Sequence, residues 1–346
     1  MRLQLKPALR RAWRGPGTVQ IGVSPRHGTV LEGLTEGDAL LLDRLRHGVD
    51  PDRISGGPGP AAAPERSLEL VRLLHEAGVL VPARAGRAAL ARVGPSRERL
   101  AADASVWSVV HPPAGDGWEV LARRACRHVA VLGAGRTGTT LAVTLAAAGV
   151  GRVSIGDPRP VAAADVAPAG HAEPDIGRRR QDSAADAVRR FGAAGAAAGH
   201  HPDLAVLVDH TVADAGRADR LLSADTAHLS VVIRDADALV GPLVRPGQGP
   251  CLRCLDLHRG DRDPAWPQVL AQLLRPVPGA GPEPEETATA ALVAGLAALQ
   301  VLGHLDGLAR PAATGATLEV ELPDGLVSRR PWPAHPRCGC HWPPAA

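Results

Sequence analysis

The 346-residue sequence has very few aromatic side chains, with no tyrosine, one phenylalanine and six tryptophans. Lysine is almost absent as well, since Lys6 is the only one, whereas alanine, glycine, proline and arginine are abundant. This bias is typical of a GC-rich bacterial genome. Nucleic-acid-binding proteins cluster basic side chains, often among aromatic ones, and here the arginines are scattered. The composition therefore does not favour a nucleic-acid partner.

An excess of one charge and long apolar runs are missing too. Lys and Arg number 39 against 36 for Asp and Glu, so no polyanionic partner is indicated. No segment reaches the roughly 18 consecutive apolar residues of a membrane span. Residues 1–15 lack the apolar centre of a signal peptide. We therefore expect a cytoplasmic protein with no membrane partner, and its length suits two domains.

Residues 128–157 predict a nucleotide site, because strand, glycine-rich turn, helix and strand follow one another and end in an acid. Gly133, Gly135 and Gly138 have GxGxxG spacing, and Asp157 comes 19 residues later. In such a βαβ unit the glycines let the backbone turn tightly and approach a phosphate, and the acid binds ribose hydroxyls. The start of the helix attracts an anion. A structural α/β turn without a ligand remains the alternative.

The segment GAGRTGTTLAVTLAAAGVGRVSIGD resembles the core of the ThiF/MoeB family, the bacterial relatives of ubiquitin-activating enzymes. The AGVG at 148–151 carries this resemblance best, because dehydrogenases have no reason to contain it there. The resemblance runs from about residue 120 to the C-terminus and implies ATP rather than NAD. Arg136 stands where the family usually has a glycine, so its side chain either crowds the phosphates or adds a positive charge.

The resemblance also implies side chains for adenylation, and the sequence departs from most of them. A second acid, an asparagine and an arginine of the family are replaced by Arg159, Asp165 and Pro168. The family's lysine corresponds to Arg180, our candidate catalytic residue. Its positive charge is kept, but on a planar guanidinium instead of a compact ammonium. A DxxD motif that helps bind magnesium begins at Asp209 but ends at Val212. Together these changes favour a degenerate site with weak ATP binding and little turnover.

The cysteines predict a structural zinc site. Cys251 and Cys254 form a CxxC pair, and Cys338 and Cys340 form a CxC pair. Four thiolates in two close pairs suit tetrahedral zinc, and a cytosolic chain has little use for disulfides. A redox dithiol and unligated cysteines remain alternatives. GxxCxRCL resembles the family's first zinc pair, whereas the second pair departs from CxxC, with His341 adjacent as a substitute ligand.

Three further features have simpler interpretations. Cys126 is expected to be a buried structural thiol, because no other cysteine is near it in the sequence. Downstream of the CxxC pair, a solvated loop is favoured over a metal cluster for His258, Asp261 and Asp263. The apolar segment 287–305 is expected to be a helix in the core or at a homodimer interface.

The N-terminal region predicts a small winged-helix-like domain. Strands are expected at 18–23 and 28–34, and Thr35 with Asp38 resembles a capping box that opens a helix. A second helix at 65–77 precedes another short strand. The region resembles the PqqD-like recognition domains of peptide-maturation systems, which bind a leader peptide at a sheet edge. A helical cap that only packs on the next domain is the alternative.

The predicted fold class is α/β, a Rossmann-like ThiF domain with a small N-terminal α+β domain and structural zinc. We expect a recognition domain at 1–82, a linker at 83–119 and a nucleotide-binding domain at 120–346. The first functional hypothesis is a leader-peptide-binding scaffold that serves a cyclodehydratase partner. The second is an active adenylyltransferase that uses ATP to activate the C-terminal carboxylate of a precursor peptide or a small carrier protein.

Overall fold

The protein is described by a computed structural model that covers residues 2–51, 64–84, 86–110, 117–195, 201–275 and 283–340. It divides into two compact units, Met1–Arg123 and Arg124–Ala346. The domain boundaries expected from the sequence stay a prediction.

The first unit combines two small antiparallel sheets with five helices in its described residues. In chain order the elements are β1 Leu3–Leu5, β2 Arg11–Gly15, β3 Thr18–Ile21, β4 Thr29–Leu31, α1 Glu36–Arg44, α2 Pro64–Glu76, β5 Leu80–Pro82, α3 Arg87–Val93, α4 Ala101–Val110 and α5 Gly117–Arg124. Strand β1 pairs with β5, and β2, β3 and β4 form a meander. Val19, Ile21, Leu42 and Leu74 lie in the core that these elements share.

The capping box predicted at the start of α1 is confirmed. The Thr35 hydroxyl accepts a hydrogen bond from the Asp38 amide at 3.2 Å, and the Asp38 carboxylate accepts one from the Thr35 amide at 2.9 Å. The same carboxylate accepts from Arg66 Nε at 2.9 Å, which ties α2 to the first turn of α1. The predicted strands at β3, β4 and β5 are present, whereas β1 and β2 were not predicted.

Residues 83–119, for which the sequence suggested a linker that leads into a helix, are largely helical where the structure describes them. They contain α3, α4 and the beginning of α5, and these helices bury one apolar cluster, formed by Ala89, Val93, Leu100, Ala104, Leu121 and Ala122. Small alanines make a weak apolar stripe, and the arginines between them hide its helical period. The sequence signal is therefore poor although the helices pack on one another.

Lys6 is buried in the first unit, with only 1% of its surface exposed. Its Nζ atom has no hydrogen-bond partner among the described residues. Burial lowers the pKa of Lys6 because a charged ammonium loses its hydration there.

The second unit is built on one seven-stranded sheet. Its elements are β6 His128–Leu132, α6 Arg136–Ala147, β7 Arg152–Gly156, α7 Arg180–Arg189, β8 Leu204–His210, α8 Ala215–Ser223, β9 His228–Ile233, β10 Asp237–Val244, α9 Leu252–Arg262, α10 Trp266–Leu273, α11 Thr287–Asp306, β11 Ala316–Glu321 and β12 Leu326–Pro331. The strand order is β12-β11-β10-β9-β8-β6-β7. Strands β7, β6, β8 and β9 are parallel, and the remaining neighbours are antiparallel.

Apolar side chains cover both faces of this sheet. Val206 belongs to the large cluster with α6, α7 and α11, whereas the next residue, Leu207, packs with Ala218 and Leu252 of α8 and α9. Consecutive strand residues point to opposite faces, so a strand buried on both sides is apolar throughout. Because β7, β6, β8 and β9 are parallel, their carboxyl ends lie together at one edge of the sheet. In α/β proteins this edge is where ligands bind.

Helix α11 confirms the prediction of a core helix at 287–305. Val293, Ala297, Val301 and Leu305 are buried in the large cluster. By length and composition α11 could cross a membrane, and in the described chain it is the one helix that passes this test. Its apolar face is already covered by the sheet and by α6, as in the core of a soluble protein.

The prediction for Cys126 is wrong, because this thiol is exposed. Helix α5 ends at Arg124, and Cys126 lies in the turn that leads to β6. A turn between a helix and a strand faces solvent, so the residue leaves the apolar face of α5.

Candidate nucleotide and metal sites

The glycine-rich turn has the shape expected of a nucleotide-binding loop. Gly133 has φ +112°, and a Cβ there would lie 2.4 Å from the Val208 carbonyl oxygen. A Cβ on Gly138 would lie 1.9 Å from the Gly133 carbonyl oxygen. A Cβ on Gly135 would lie in ordinary van der Waals contact with polar side-chain atoms, 3.5 Å from a Glu285 carboxylate oxygen, 3.8 Å from Asp165 Oδ1 and 3.9 Å from Arg180 Nη1. Helix α6 begins at Arg136, and Gly135 is its N-cap.

Asp157 lies directly after β7 and binds the turn. Its Oδ2 accepts a hydrogen bond from the Ala134 amide at 2.9 Å. The guanidinium of Arg159 forms a bidentate pair with the same carboxylate, with both distances 3.0 Å. Burial acts to raise the pKa of Asp157, but hydrogen bonds from Arg159 and Ala134 outweigh it and lower the pKa to about 2. The predicted ribose ligand is therefore an ionised carboxylate that already has partners within the protein.

The lowered pKa predicts an acid-dependent stability. The folded-state pKa of Asp157 is about 2 against an ordinary value of 3.8. Its contribution, about 2 kcal/mol, is then complete above about pH 4 and is lost as the pH falls towards 2. Urea unfolding should show Asp157→Asn less stable than wild type at pH 6, with a difference that shrinks towards pH 2. The exposed control Asp219→Asn should show no such trend, and a pH-independent difference for Asp157→Asn would contradict the assignment.

Arg180, the candidate catalytic cation, lies at the start of α7 and is bound by two carboxylates. Its Nε and Nη2 atoms donate to Asp165 at 2.8 and 2.7 Å, and its Nη1 donates to Asp157 at 3.4 Å. The Arg180 and Asp165 side chains are each only 9% exposed. The guanidinium thus lies close to the turn, with Nη1 3.9 Å from the position of a Cβ on Gly135, but its charge is balanced within the protein.

Arg136 points to the segment before α11. Its Nη1 donates to the Glu285 carbonyl at 2.6 Å and to the Thr287 hydroxyl at 3.1 Å. The Glu285 carboxylate in turn accepts from the Thr137 amide at 2.8 Å. The neighbouring Glu283 binds Arg159 at 3.0 Å. Sequence reasoning missed both glutamates, because nothing local marks a contact across 148 residues.

A buried histidine supports the turn from the protein side. His171 is 1% exposed, and its Nε2 lies 2.8 Å from the Ala134 carbonyl and 2.9 Å from the Thr139 hydroxyl. Its Nδ1 lies 2.8 Å from the Ser183 hydroxyl of α7. This network was not predicted, and it fixes the turn to the helix that carries Arg180.

The end of β8 is the second part of the site. Asp209 is paired with Arg217, and burial raises the pKa of this carboxyl group. Thr211 has φ +68°, a conformation that costs energy for a β-branched residue and is typical of functional sites. Beside it a cavity of about 520 Å³ is lined by Val212, Leu252 and Trp266, among others.

The four predicted zinc ligands meet at one point. The Sγ atoms of Cys251 and Cys254 are 3.9 Å apart, Cys251 and Cys338 are 3.5 Å apart, and Cys254 and Cys340 are 3.4 Å apart. All four lie within 4.8 Å of one another. A tetrahedral ion with Zn–S bonds of about 2.3 Å places sulfurs roughly 3.8 Å apart, so the cluster fits a metal. His341 lies outside the described residues.

The cluster around His258 differs from the predicted solvated loop. His258 and Asp261 lie on α9, and Asp261 binds both His335 at 2.8 Å and Arg337. His335 accepts from the Arg337 amide at 3.1 Å, and its own amide donates to Cys254 Sγ at 3.3 Å. These contacts occupy both ring nitrogens of His335 and brace the segment that carries the second cysteine pair.

Residues 117–201 of this chain match the model of the ThiF family. The mixed α/β architecture matches that of its solved relatives, as the sequence predicted.

Two of these relatives cover nearly the whole chain. E. coli MccB, solved with MccA-N7isoASN, has a TM-score of 0.70 and 14% identity over 98% of this chain and 99% of its own. MccB solved with ATP has a TM-score of 0.68 at 14% identity, over 99% and 100% of the two chains. PaaA has a TM-score of 0.70 and 16% identity, over 94% of this chain and 99% of its own. No curated protein matches the sequence.

Proposed function

We propose that this protein is a peptide-binding protein of a pathway that matures ribosomally made peptides. Its nucleotide site performs little or no adenylation. It binds a precursor peptide and presents it to a separate modifying enzyme such as a cyclodehydratase. The structural relative MccB is a microcin C7 biosynthetic enzyme solved in complex with its MccA peptide, which supports a peptide partner for this chain.

The observation that carries the proposal is the pairing of the site's cations with the chain's own acids. Adenylation needs positive groups that stabilise the charge developing on the α-phosphate and that draw off pyrophosphate. Arg159 is bound by Asp157 and Glu283, and Arg180 is bound by Asp165 and Asp157. Each arginine would have to break a buried or bidentate ion pair before it could bind a phosphate.

Peptide capture is assigned to two surfaces, one in each unit. In the first unit the β2-β3-β4 meander has open edges, and an extended leader peptide can add to such an edge. In the second unit the cavity beside Thr211 takes the segment that is modified. Cytoplasmic location and dimer formation belong to this proposal; Leu292 and Leu299 of α11, which are 41% and 58% exposed, would lie at the interface between copies.

A second candidate is an active adenylyltransferase that activates the carboxylate of a peptide or a small carrier protein. It is favoured by the shape of the Gly133–Gly138 turn and by Asp157 at the end of β7. ATP would then lie with its phosphates at the start of α6, with Arg180 as a cation that could be released from its acids. Magnesium would have to bind without a carboxylate at Val212.

ATP–pyrophosphate exchange separates the two candidates. The peptide to test is the product of any short neighbouring gene that is rich in Cys, Ser or Thr codons. We expect its leader half to bind in fluorescence anisotropy, while exchange stays at least about 100-fold below that of MccB with MccA, equivalent to about 2.7 kcal/mol of lost transition-state stabilisation. Exchange comparable to MccB would overturn the scaffold role in favour of the enzyme.

A further inference from the structure

The segment Glu283–Glu286 lies against the glycine-rich turn and forms contacts that a nucleotide would need. The Glu285 carboxylate accepts a hydrogen bond from the Thr137 amide at 2.8 Å, in the first turn of α6. Its other oxygen lies 3.5 Å from the position of a Cβ on Gly135, the N-cap of α6. A carboxylate thus sits where the loop would receive a phosphate oxygen.

The contact is not an ordinary helix cap. The N-cap of α6 is Gly135, which offers no side chain, and Glu285 is 148 residues away from the amide that it accepts from. Glu286 caps a different helix, since its carboxylate accepts from the Ala288 and Thr289 amides of α11. With Glu286 anchored on α11, its neighbour Glu285 is directed to the turn.

The Glu285 side chain is held in place by contacts from several sides. The Glu285 side chain is 9% exposed, and its Oε2 lies 3.4 Å from His210 Nε2. The Nδ1 atom of His210 lies 3.0 Å from Glu283, which also binds Arg159. Arg136 holds the Glu285 backbone carbonyl. Burial acts to raise the pKa of Glu285, but hydrogen bonds from His210 and Thr137 hold it below its usual value, so the Glu285 carboxylate is an anion.

We propose that Glu285 is an internal competitor for the phosphate end of the site, so that a nucleoside triphosphate binds only after the Glu283–Glu286 segment moves away. The proposal rests on the proposed function in taking the turn as a nucleotide site. It adds that the weak nucleotide binding is autoinhibition rather than loss of the pocket. One anion excludes the other because both need the Thr137 amide and the same end of the helix dipole.

Calorimetric titration with ATP, with and without magnesium, tests this for the wild type, Glu285→Gln and Glu285→Ala. Removing the charge should raise ATP affinity about 10-fold in the glutamine variant and up to about 100-fold in the alanine variant, the factors expected for losing a charged competitor. Glu321→Gln, an exposed glutamate at the end of β11, removes the same charge elsewhere and should leave the affinity unchanged. Thermal unfolding should show all variants folded.

Three other results would overturn the proposal. Equal ATP affinity in all four proteins would show that Glu285 does not compete with ATP, although the turn would still be a nucleotide site. No binding by any of them at millimolar ATP would mean that the turn is not a nucleotide site at all. An equal gain in Glu321→Gln would reduce the effect to net charge. Pyrophosphate exchange by the wild type would refute the proposed function alone, because it reports turnover and not competition.

Discussion

Replacing Cys254 by serine is expected to cost the protein its metal and several kcal/mol of stability. The four sulfurs are within 4.8 Å of one another, and Cys254 is fully buried. Structural zinc contributes its binding free energy to folding, so loss of one ligand should destabilise the second unit by at least about 4 kcal/mol, or roughly 10 °C in melting temperature. Metal analysis of the wild type should find about one equivalent of zinc.

The chain offers a matched control for this change. Cys126 is exposed and lies outside the cluster, so Cys126→Ser should keep the zinc and melt within about 1 °C of the wild type, as surface substitutions usually do. A strong chelator should lower the melting temperature of the wild type and of the control to that of Cys254→Ser. Less than half an equivalent of metal in the wild type, or equal stability of the two serine variants, would contradict a structural metal site.

Arg124→Ala is expected to destabilise the second unit by about 3 to 5 kcal/mol. Arg124 and Asp306 are 0% and 1% exposed at their side chains and form a bidentate pair at 2.9 and 2.6 Å. The pair joins the end of α5 to the last residue of α11. Truncating the arginine leaves a carboxylate buried without its counter-charge, and this desolvation penalty dominates the loss.

Chemical denaturation of three variants separates the buried charge from lost packing. Arg127→Ala breaks an ion pair with Asp203 that is 43% and 32% exposed, and should cost at most about 1 kcal/mol. The double change Arg124→Met with Asp306→Leu removes both charges and should recover most of the stability lost in Arg124→Ala. If the double variant is no more stable than the single one, the pair acts through shape rather than charge.

The sequence was informative where periodicity and local spacing determine the structure. The βαβ unit at 128–157 and the core helix α11 have apolar patterns that match their elements, and both are present as predicted. The capping box at Thr35 rests on a spacing of three residues and is also confirmed. Strands β1 and β2 were missed because β1 pairs with a strand about 77 residues away and β2 is a largely exposed edge strand.

The candidate site follows the same division. The glycines, Asp157 and the cysteines were found because each belongs to a motif of fixed spacing. Glu285 and His171 carry no such signal, since their partners lie 148 and 37 residues away. A single sequence shows which charges are present but not which of them neutralise one another. The pairing of Arg180 with Asp165 therefore had to come from the structure.

The burial of Lys6 removes lysine amines from the surface of this protein. The sequence has no other lysine, and this one is 1% exposed with a lowered pKa. Acyl-adenylates react readily with unprotonated primary amines, and arginine, which stays charged, is a poor nucleophile in comparison. An acyl-adenylate that met this chain would thus find no exposed lysine amine to acylate.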